Sequence, residues 1–332
     1  MKVTRLLRTA AWAAAAAATT AIACTVGASG VRETVGLSVR DPDLIRPLRE
    51  VVPEPRNGEP RDSVERAVFE RINADRRAAG LAAVAWDEGA AQAGRRFCAA
   101  QVRERTHGHF LMDGIPPYAR TALAGLFGVG SENSATWLTS GKEFQIGMRE
   151  LGLKAHADMM DEVPPDDGHR RTILDPTATH VGVGWAQQSG SFRMAEEFMT
   201  RRIAEMTLTL VAEAPATILV EGRILSTYAF EFVTIANEPS PHPLSRDEAD
   251  ARKSYSYPDP QIAYVAEGRK ALHVVGADTQ DRVAVRGAAF AFRFTPARPG
   301  LWTILVYTSE GRQEPRPGAS AVIWMEASKA PR

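Results

Sequence analysis

The chain has 332 residues, of which 44% are hydrophobic and 24% charged, and its 40 basic side chains balance 40 acidic ones. This length predicts two domains, because a single hydrophobic core rarely grows beyond roughly 250 residues. The composition is typical of a soluble globular protein and excludes a multi-span membrane protein. Zero formal net charge argues against a nucleic-acid partner, since such binders normally carry a strong basic excess.

The N-terminus has the pattern of an export signal. Lys2, Arg5 and Arg8 precede an alanine-rich run that ends near Ala23. A basic segment, a short apolar run and small residues at its end predict a secretory signal peptide over residues 1–24. The run is too short and too rich in alanine for a good membrane-spanning helix. We therefore expect an exported protein that is extracellular, periplasmic or anchored to a membrane.

The end of this signal leaves two outcomes open. Residues 21–24, Ala-Ile-Ala-Cys, resemble a bacterial lipobox, although alanine stands where leucine is usual. Lipidation of Cys24 would anchor the protein to a membrane, whereas ordinary cleavage near Ala23 or Ala28 would release it. If Cys24 is lipidated or removed, Cys98 is a single thiol, and its alanine-rich helical surroundings predict a small buried residue and not a nucleophile.

A linker and then two helices follow. Residues 25–61 show no sustained period and contain several prolines, which is typical of a linker. Asp62 or Ser63 is placed to cap a first helix, whose apolar residues recur at helical spacing. A second helix is predicted from Asp87 to about Arg105.

The pattern changes to strands further along the chain. Val181, Val183 and Trp185 alternate with glycines, and alternation continues from Phe192 to Phe198, which predicts a β-hairpin. Helices followed by a hairpin predict a layered α+β domain over residues 62–200.

Alternating strands with proline and glycine turns dominate the rest of the chain. They predict an all-β domain over residues 206–329, a sandwich of the immunoglobulin-like type. Trp302 and Trp324 lie at strand spacing, which favours a place in the core over a carbohydrate-stacking face. His242 and His273 carry no partner pattern and are interpreted as surface residues.

Three residues of chemical interest stand in turn-rich sequence, namely His109, Glu132 and His169. Imidazoles on separate loops can converge on one divalent cation, and a nearby carboxylate can orient them or polarise a water. No local metal motif such as HExxH is present. From composition alone, each histidine is therefore interpreted as a hydrogen-bonded loop residue in preference to a metal ligand.

A larger set of motifs, taken in order, resembles the CAP superfamily, which includes cysteine-rich secretory proteins, antigen 5 and plant pathogenesis-related proteins. The similarity covers roughly residues 62–200 and is greatest to the bacterial secreted branch. Its blocks are Asn73, Arg76-Arg77, Gly80-Leu81 and Trp86-Asp87; His109, Asp113-Gly114, Pro117 and Arg120; Glu132-Asn133; and Gly168-His169-Arg170, Ile173 to Pro176 and Val181 to Gly184. The resemblance implies an α-β-α sandwich with a central antiparallel sheet.

The resemblance also implies a cleft that holds two histidines and two acidic residues. His109 and His169 match the histidines, and Glu132 matches the first acidic residue, although Ser131 replaces the glycine before it. Glu162 is the candidate for the second acidic residue, in a block where Met159 stands in place of a tryptophan. The histidines are the candidate ligands of Zn²⁺ or another divalent cation, and the alternative is a buried polar network that fixes the loops around the sheet.

Two functions remain open at this point. The first is a secreted or surface-anchored binding module whose cleft takes an apolar or extended ligand, such as a lipid, a peptide or a cell-surface molecule. The second is a peptide hydrolase in which Glu132 and Glu162 activate water, with or without a metal. The sequence contains no G-x-S-x-G nucleophile motif that would indicate a covalent route.

Overall fold

The fold was analysed in a computed structural model. It describes residues 60, 62–140, 143–211, 217–268 and 274–327, and the backbone of two short strands, β1 (Ala23–Thr25) and β2 (Thr34–Ser38). The predicted signal peptide and linker lie outside the described residues, apart from those two strands and Pro60. The side chain of Cys24 and residue His273 lie outside them as well.

The described chain forms two compact units, which confirms an α+β organisation. The first unit holds the described residues up to Arg201 together with His242–Ser256, and the second holds Arg202–Pro241 and the residues from Tyr257 onward, with β1 and β2. Residues 242–256, which lie within the predicted second domain, thus group with the first unit. None of the described helices is long and apolar enough to cross a membrane.

The first unit contains six helices and four strands among its described residues. The helices are α1 (Ser63–Ala78), α2 (Glu88–Glu104), α3 (Pro117–Leu123), α4 (Met148–Met160), α5 (Gly168–Ile173) and α6 (Arg246–Ala251). The strands are β3 (Ala85–Trp86), β4 (Val129–Leu138), β5 (His180–Gln188) and β6 (Ser191–Thr200).

The two predicted helix starts are confirmed, and side-chain caps explain them. The carboxylate of Asp62 accepts hydrogen bonds from the backbone N–H groups of Val64 and Glu65, at 2.8 and 2.9 Å. Asp87 accepts one from the N–H of Ala90 at 2.9 Å. Each cap satisfies backbone donors that have no partner within the first turn of a helix.

The sheet of the first unit has the order β3-β5-β6-β4, with β3 and β5 parallel and the other pairs antiparallel. Strand β6 buries a residue on each face in alternation. Phe192 and Phe198 pack with α1 and α4, whereas Ala195 and Met199 pack with apolar residues of α2. Helices therefore cover both faces of the sheet, which confirms the α-β-α sandwich and the predicted hairpin of β5 and β6.

The glycines that alternate in β5 have a packing role. A Cβ atom on Gly182 would lie 2.0 Å from the backbone nitrogen of Ala91, and one on Gly184 would lie 2.1 Å from that of Arg95. Helix α2 thus lies directly on the backbone of β5, an approach that only glycine permits.

The second unit is all-β in its described residues. Its later strands are β7 (Ile203–Val211), β8 (Thr217–Ile224), β9 (Ala229–Glu238), β10 (Ile262–Ala266), β11 (Asp278–Arg286), β12 (Ala289–Phe294), β13 (Gly300–Ser309) and β14 (Arg316–Ala327). Their order is β1-β2-β14-β13-β9-β10-β11-β12-β8-β7.

Aromatic contacts show that this sheet folds over on itself. Strand β12 pairs with β11 and β8, yet its three phenylalanines contact β9, β10 and β13 through the pairs Phe230–Phe290, Tyr264–Phe292 and Phe294–Trp302. A sandwich-like arrangement is therefore confirmed, and the buried Trp302 and Trp324 belong to its interior, as predicted. Strands β10 and β11 are parallel, which differs from the antiparallel sheets of an immunoglobulin domain.

Candidate functional site

The two histidines singled out in the sequence lie side by side in the first unit. His109 comes from the loop between α2 and α3, and His169 is the second residue of α5. Their ring centroids are 6.2 Å apart, with an angle of 39° between the ring planes. Side chains that are 60 residues apart in the sequence thus meet at one place.

Glu132 holds the ring of His109. It lies within strand β4, whereas its turn-rich sequence surroundings predicted a turn. Strand β4 is a sheet edge with few apolar residues, so its sequence does not look like that of a strand. Its Oε1 is 2.9 Å from Nδ1 of His109, and its Oε2 accepts a hydrogen bond from the guanidinium of Arg120 in α3. Arg120 also donates to the backbone oxygen of His109 at 3.3 Å, so it supports both members of the pair.

A further buried carboxyl group adjoins this pair. Glu197 of β6 is 1% exposed and shares a hydrogen bond with Glu132, which is 4% exposed. Burial and the charge of Glu132 raise the pKa of Glu197 well above its usual range. Burial also raises the pKa of Glu132, but the Arg120 guanidinium opposes this shift. Glu197 therefore carries the proton of the pair, and Glu132 is the carboxylate that Arg120 and His109 bind.

The same surroundings keep His109 uncharged. Burial, together with the positive charge of the Arg120 guanidinium, lowers the pKa of His109 to about 4. At neutral pH the ring is therefore a neutral imidazole. A carboxylate only accepts hydrogen bonds, so Nδ1 of His109 carries the proton that points to Glu132, and Nε2 carries a lone pair.

Glu162, the predicted second acidic residue, holds His169 in a similar way. Its Oε1 bonds Nδ1 of the ring, and its Oε2 accepts the backbone N–H of His169 at 2.9 Å. Both oxygens of Glu162 are thus directed at one residue. The hydrogen bonds of the described residues include none to Nε2 of His109 or of His169.

Asn133 connects His169 to a polar network on the other face of the sheet. Its amide donates to the backbone oxygen of His169 and to Glu196, both at 3.1 Å. Glu196 contacts Nδ1 of His156 at 2.6 Å, and Nε2 of His156 contacts Asp75 at 3.0 Å. Burial disfavours a charged His156, but these two carboxylates outweigh it and raise its pKa.

The sequence analysis did not identify Arg120 or Glu197 as site residues, nor the network of His156. One signal was present, because two adjacent glutamates interrupt the apolar strand β6. Neighbouring residues of a strand face opposite layers, so one of the two must enter each layer and find partners there. Cys98 is fully buried, as predicted, and burial raises the pKa of its thiol well above the usual value.

A groove of about 420 Å³ extends from His169 between β4 and α4. Trp137, Leu138 and Met159 line it, together with the acidic Asp158 and Glu162. Leu138 is 69% exposed, which is unusual for leucine in a strand. The groove therefore offers an apolar wall next to one of the two imidazoles.

The two imidazoles are the candidate donors for a metal ion. Among the described residues no group of three His, Cys, Asp or Glu side chains is arranged to hold one. The two Nε2 atoms supply two imidazole donors, whereas catalytic zinc sites usually have three protein ligands. A cation here would complete its coordination with water or with a ligand.

One family model and several solved structures are similar to parts of this chain. The family model described as "CAP: Cysteine-rich secretory protein family" matches residues 69–200. One similar solved structure is an outer surface protein from Borrelia burgdorferi, with 15% identity over 40% of this chain and 90% of that chain, at a TM-score of 0.33. Another is an extracellular protein containing a SCP domain from Bacillus anthracis, with 18% identity over 41% of this chain and 40% of that chain, at a TM-score of 0.33. A comparison with curated proteins found no match.

Proposed function

We propose that this protein is an exported binding module whose cleft takes an apolar or extended ligand, since residues 69–200 match the model of the cysteine-rich secretory protein family. The observation that carries the proposal is the pair of imidazoles with their centroids 6.2 Å apart, each held at Nδ1 by a carboxylate. Fixing Nδ1 orients Nε2 for a ligand, as in carboxylate–histidine pairs around metals.

The class of ligand follows from the groove beside His169. Its exposed Leu138 and half-buried Trp137 favour apolar groups, and its length along β4 favours an extended molecule such as a lipid or a peptide. A ligand displayed on a cell surface fits the same description. His109 and His169 are the proposed ligands of Zn²⁺ or a similar divalent cation, which would supply a charge for a polar end of the ligand.

Calorimetric titration of Zn²⁺ into the metal-free protein tests the cation. We expect one ion per chain in the wild type and no binding in the His109→Ala, His169→Ala double variant. His242→Ala is the control, because His242 is exposed and should leave Zn²⁺ binding unchanged. Equal binding by the wild type and the double variant would refute the cation site.

Binding of a fluorescent long-chain fatty acid tests the groove separately. Trp137→Ala should weaken this binding, since Trp137 forms part of the apolar wall. The histidine double variant should largely retain it. Loss in the histidine variant with no loss in Trp137→Ala would place the ligand elsewhere.

The hydrolase alternative has less support. Both oxygens of Glu132 and both oxygens of Glu162 bond neighbouring protein groups, and these bonds favour a role in orienting the imidazoles over one in activating water. If Glu132 and Glu162 nevertheless act in hydrolysis, cleavage of a peptide library should be lost in Glu132→Gln, Glu162→Gln and the histidine double variant. The binding proposal expects no cleavage by the wild type.

Export is proposed from the N-terminal sequence pattern, with either a lipid anchor at Cys24 or a released chain. Mass spectrometry of the mature protein distinguishes these outcomes. A diacylglyceryl group on an N-terminal Cys24 would establish the anchor, and a start after residue 24 would exclude it.

A further inference from the structure

Residues 242–256, which we call the strap, pack along the loop that carries His109. The backbone N–H of Leu244 donates to the oxygen of Met112 at 2.8 Å. The carboxylate of Asp250 accepts the backbone N–H of His107 at 2.8 Å and contacts Nδ1 of the same residue at 3.0 Å. The strap is therefore attached on both sides of His109 in the sequence.

Apolar packing reinforces these bonds. Phe110, Leu244 and Ala249 form a buried cluster, against which Tyr255 packs. The guanidinium of Arg252 lies 5.2 Å from the centroid of the Phe110 ring. The strap is thus a packed part of the first unit, although it comes from the chain between β9 and β10.

Tyr255 brings the strap to the candidate site itself. Its ring meets the ring of His109 edge to face, with centroids 5.1 Å apart and an interplanar angle of 69°. Its hydroxyl oxygen accepts the backbone N–H of Glu132 at 2.6 Å. Tyr255 therefore contacts both His109 and Glu132, the residue that orients the His109 ring.

The contact with Glu132 lies on the open edge of the sheet. Strand β4 is the last strand of its sheet, with β6 on one side only. The N–H of Thr139, the residue after β4, points to the β6 side, where it bonds the oxygen of Gly190 in the turn before β6 at 2.9 Å. The N–H groups of a strand alternate between its two sides, so that of Glu132 points away from β6. The Tyr255 hydroxyl occupies this side, where the carbonyl oxygen of an added strand would otherwise bind.

The groove beside His169 ends before it reaches His109. His169 and Glu162 line the groove, whereas His109 is not among its lining residues. The side chain of His109 is 12% exposed and that of His169 is 31% exposed. Tyr255 lies against the less accessible of the two imidazoles.

We propose that Tyr255 is a specificity-determining residue that closes the His109 end of the cleft, so that ligands enter along β4 and meet His169 first. This inference rests on the proposed ligand-binding function of the cleft. The wall is the aromatic ring of Tyr255, which the Phe110 cluster holds against His109, and its hydroxyl adds a hydrogen bond to β4. The size of ligand that the cleft admits is then set by a residue outside the CAP domain match.

Modification by diethyl pyrocarbonate tests this proposal. The reagent acylates accessible imidazole nitrogen, and peptide mass spectrometry gives the rate for each histidine. In the wild type we expect His169 to react faster than His109. Tyr255→Ala should raise the rate at His109 severalfold and leave the rate at His169 unchanged, because the wall beside His109 alone is removed.

Three controls make the result interpretable. Tyr255→Phe keeps the ring and should keep His109 protected. Tyr257→Ala changes a tyrosine two residues along the chain that belongs to the second unit, where its hydroxyl lies 3.5 Å from Ser320, and should leave the rate at His109 unchanged. His156 is fully buried, so its modification in any variant would report unfolding and not an opened cleft.

An unchanged rate at His109 in Tyr255→Ala, with His156 still protected, would overturn the proposal. So would an equal rise in Tyr255→Phe and Tyr255→Ala, since the ring would then not be the wall. A parallel experiment with Zn²⁺ separates this outcome from the proposed function. Failure of Zn²⁺ to slow modification of both histidines would count against the cation site and leave the Tyr255 result standing.

Discussion

Arg120 is the residue on which the charge balance of the site depends. The Arg120 side chain is 8% exposed, and its guanidinium binds Glu132. Glu132 adjoins Glu197, and both carboxyl groups are buried. Two buried carboxyl groups in contact are unfavourable without a nearby cation. The arginine thus stabilises an arrangement that would otherwise strongly favour a proton on both acids.

We predict that Arg120→Met lowers the free energy of unfolding by about 3–5 kcal/mol, the usual cost of leaving a buried charge without its partner. Urea denaturation measures this change. Arg103→Met is the matched control, because the Arg103 side chain is 70% exposed and its pair with Glu104 should contribute less than about 1 kcal/mol. Similar small effects of both variants would contradict the role given to Arg120.

His109 makes stability depend on pH in the acid range. Its pKa is lowered from 6.5 to about 4 by burial, so the unfolded chain binds a proton at this residue before the folded chain does. The folded state consequently loses stability as pH falls from about 6.5 to 4, by about 3 kcal/mol in total. His109→Gln should remove this part of the pH dependence, which urea denaturation at several pH values would show.

His156 acts with the opposite sign and does not obscure this test. Its pKa is raised by Glu196 and Asp75 against the effect of burial. Its contribution to stability is complete below the unfolded pKa and is lost as pH rises through the folded pKa. A wild type whose stability falls no more than that of His109→Gln between pH 6.5 and 4 would contradict the neutral, buried state of His109.

At the scale of residues, the sequence predicted which residues form the site better than it predicted the partners that they contact. The motif order identified His109, Glu132, His169 and Glu162, and the structure brings all four together. The partners of these residues depend on which face of a strand they occupy. Glu197 could not be assigned to the site without the register of β6 against β4, which the sequence does not reveal.

Among the elements, the contact between α2 and β5 is the closest. Gly182→Ala would place a Cβ atom 2.0 Å from the backbone nitrogen of Ala91 and 2.4 Å from the carbonyl carbon of Ala90. Both of these atoms belong to the backbone of α2, so the clash can be relieved only by moving the helix. We predict a loss of at least about 3 kcal/mol in unfolding free energy, at the upper end of the cost of overpacking.

Gly147→Ala is the control for this prediction. Nothing lies within 4 Å of a Cβ atom at Gly147, and its φ of −67° suits any residue. Its unfolding free energy should stay within about 0.5 kcal/mol of the wild type. A Gly182→Ala protein as stable as Gly147→Ala would contradict the direct packing of α2 on the β5 backbone.

The elements were predictable where periodicity was strong. Both capped helices and the hairpin of β5 and β6 follow from spacing and from Asp62 and Asp87. Strand β4 was not predictable in this way, because the middle of β4, Gly130 to Ser134, is polar or small and shows no alternation. Its polar residues contact groups of the site and not the apolar core, so the alternation that is typical of a strand is missing from its sequence.

At the scale of the whole molecule, the path of the strap is the feature least visible in the sequence. The chain leaves the second unit after β9, packs along the loop of His109 and returns at β10. Its composition is that of an ordinary turn-rich connection. Its position depends on matching surfaces around Phe110 and Glu132, which only the folded first unit provides.

We predict that Ala249→Asp loosens the strap. Ala249 is fully buried against Phe110, and an unpaired carboxylate cannot be accommodated there. Mass spectrometry after hydrogen exchange should show faster exchange in residues 105–115. Ala251→Asp, at an exposed position of the same helix, should leave exchange in this segment unchanged. Equal exchange in both variants would show that the strap does not stabilise the His109 loop.

The central claim is that His109 and His169 present their Nε2 atoms to one ligand while carboxylates hold their Nδ1 atoms. Nitrogen NMR of the labelled imidazoles during a Zn²⁺ titration tests it most directly. The account predicts that the Nε2 signals of both rings shift together at one equivalent, while both Nδ1 atoms remain protonated. A shift in neither ring, or in one ring alone, would contradict a shared site.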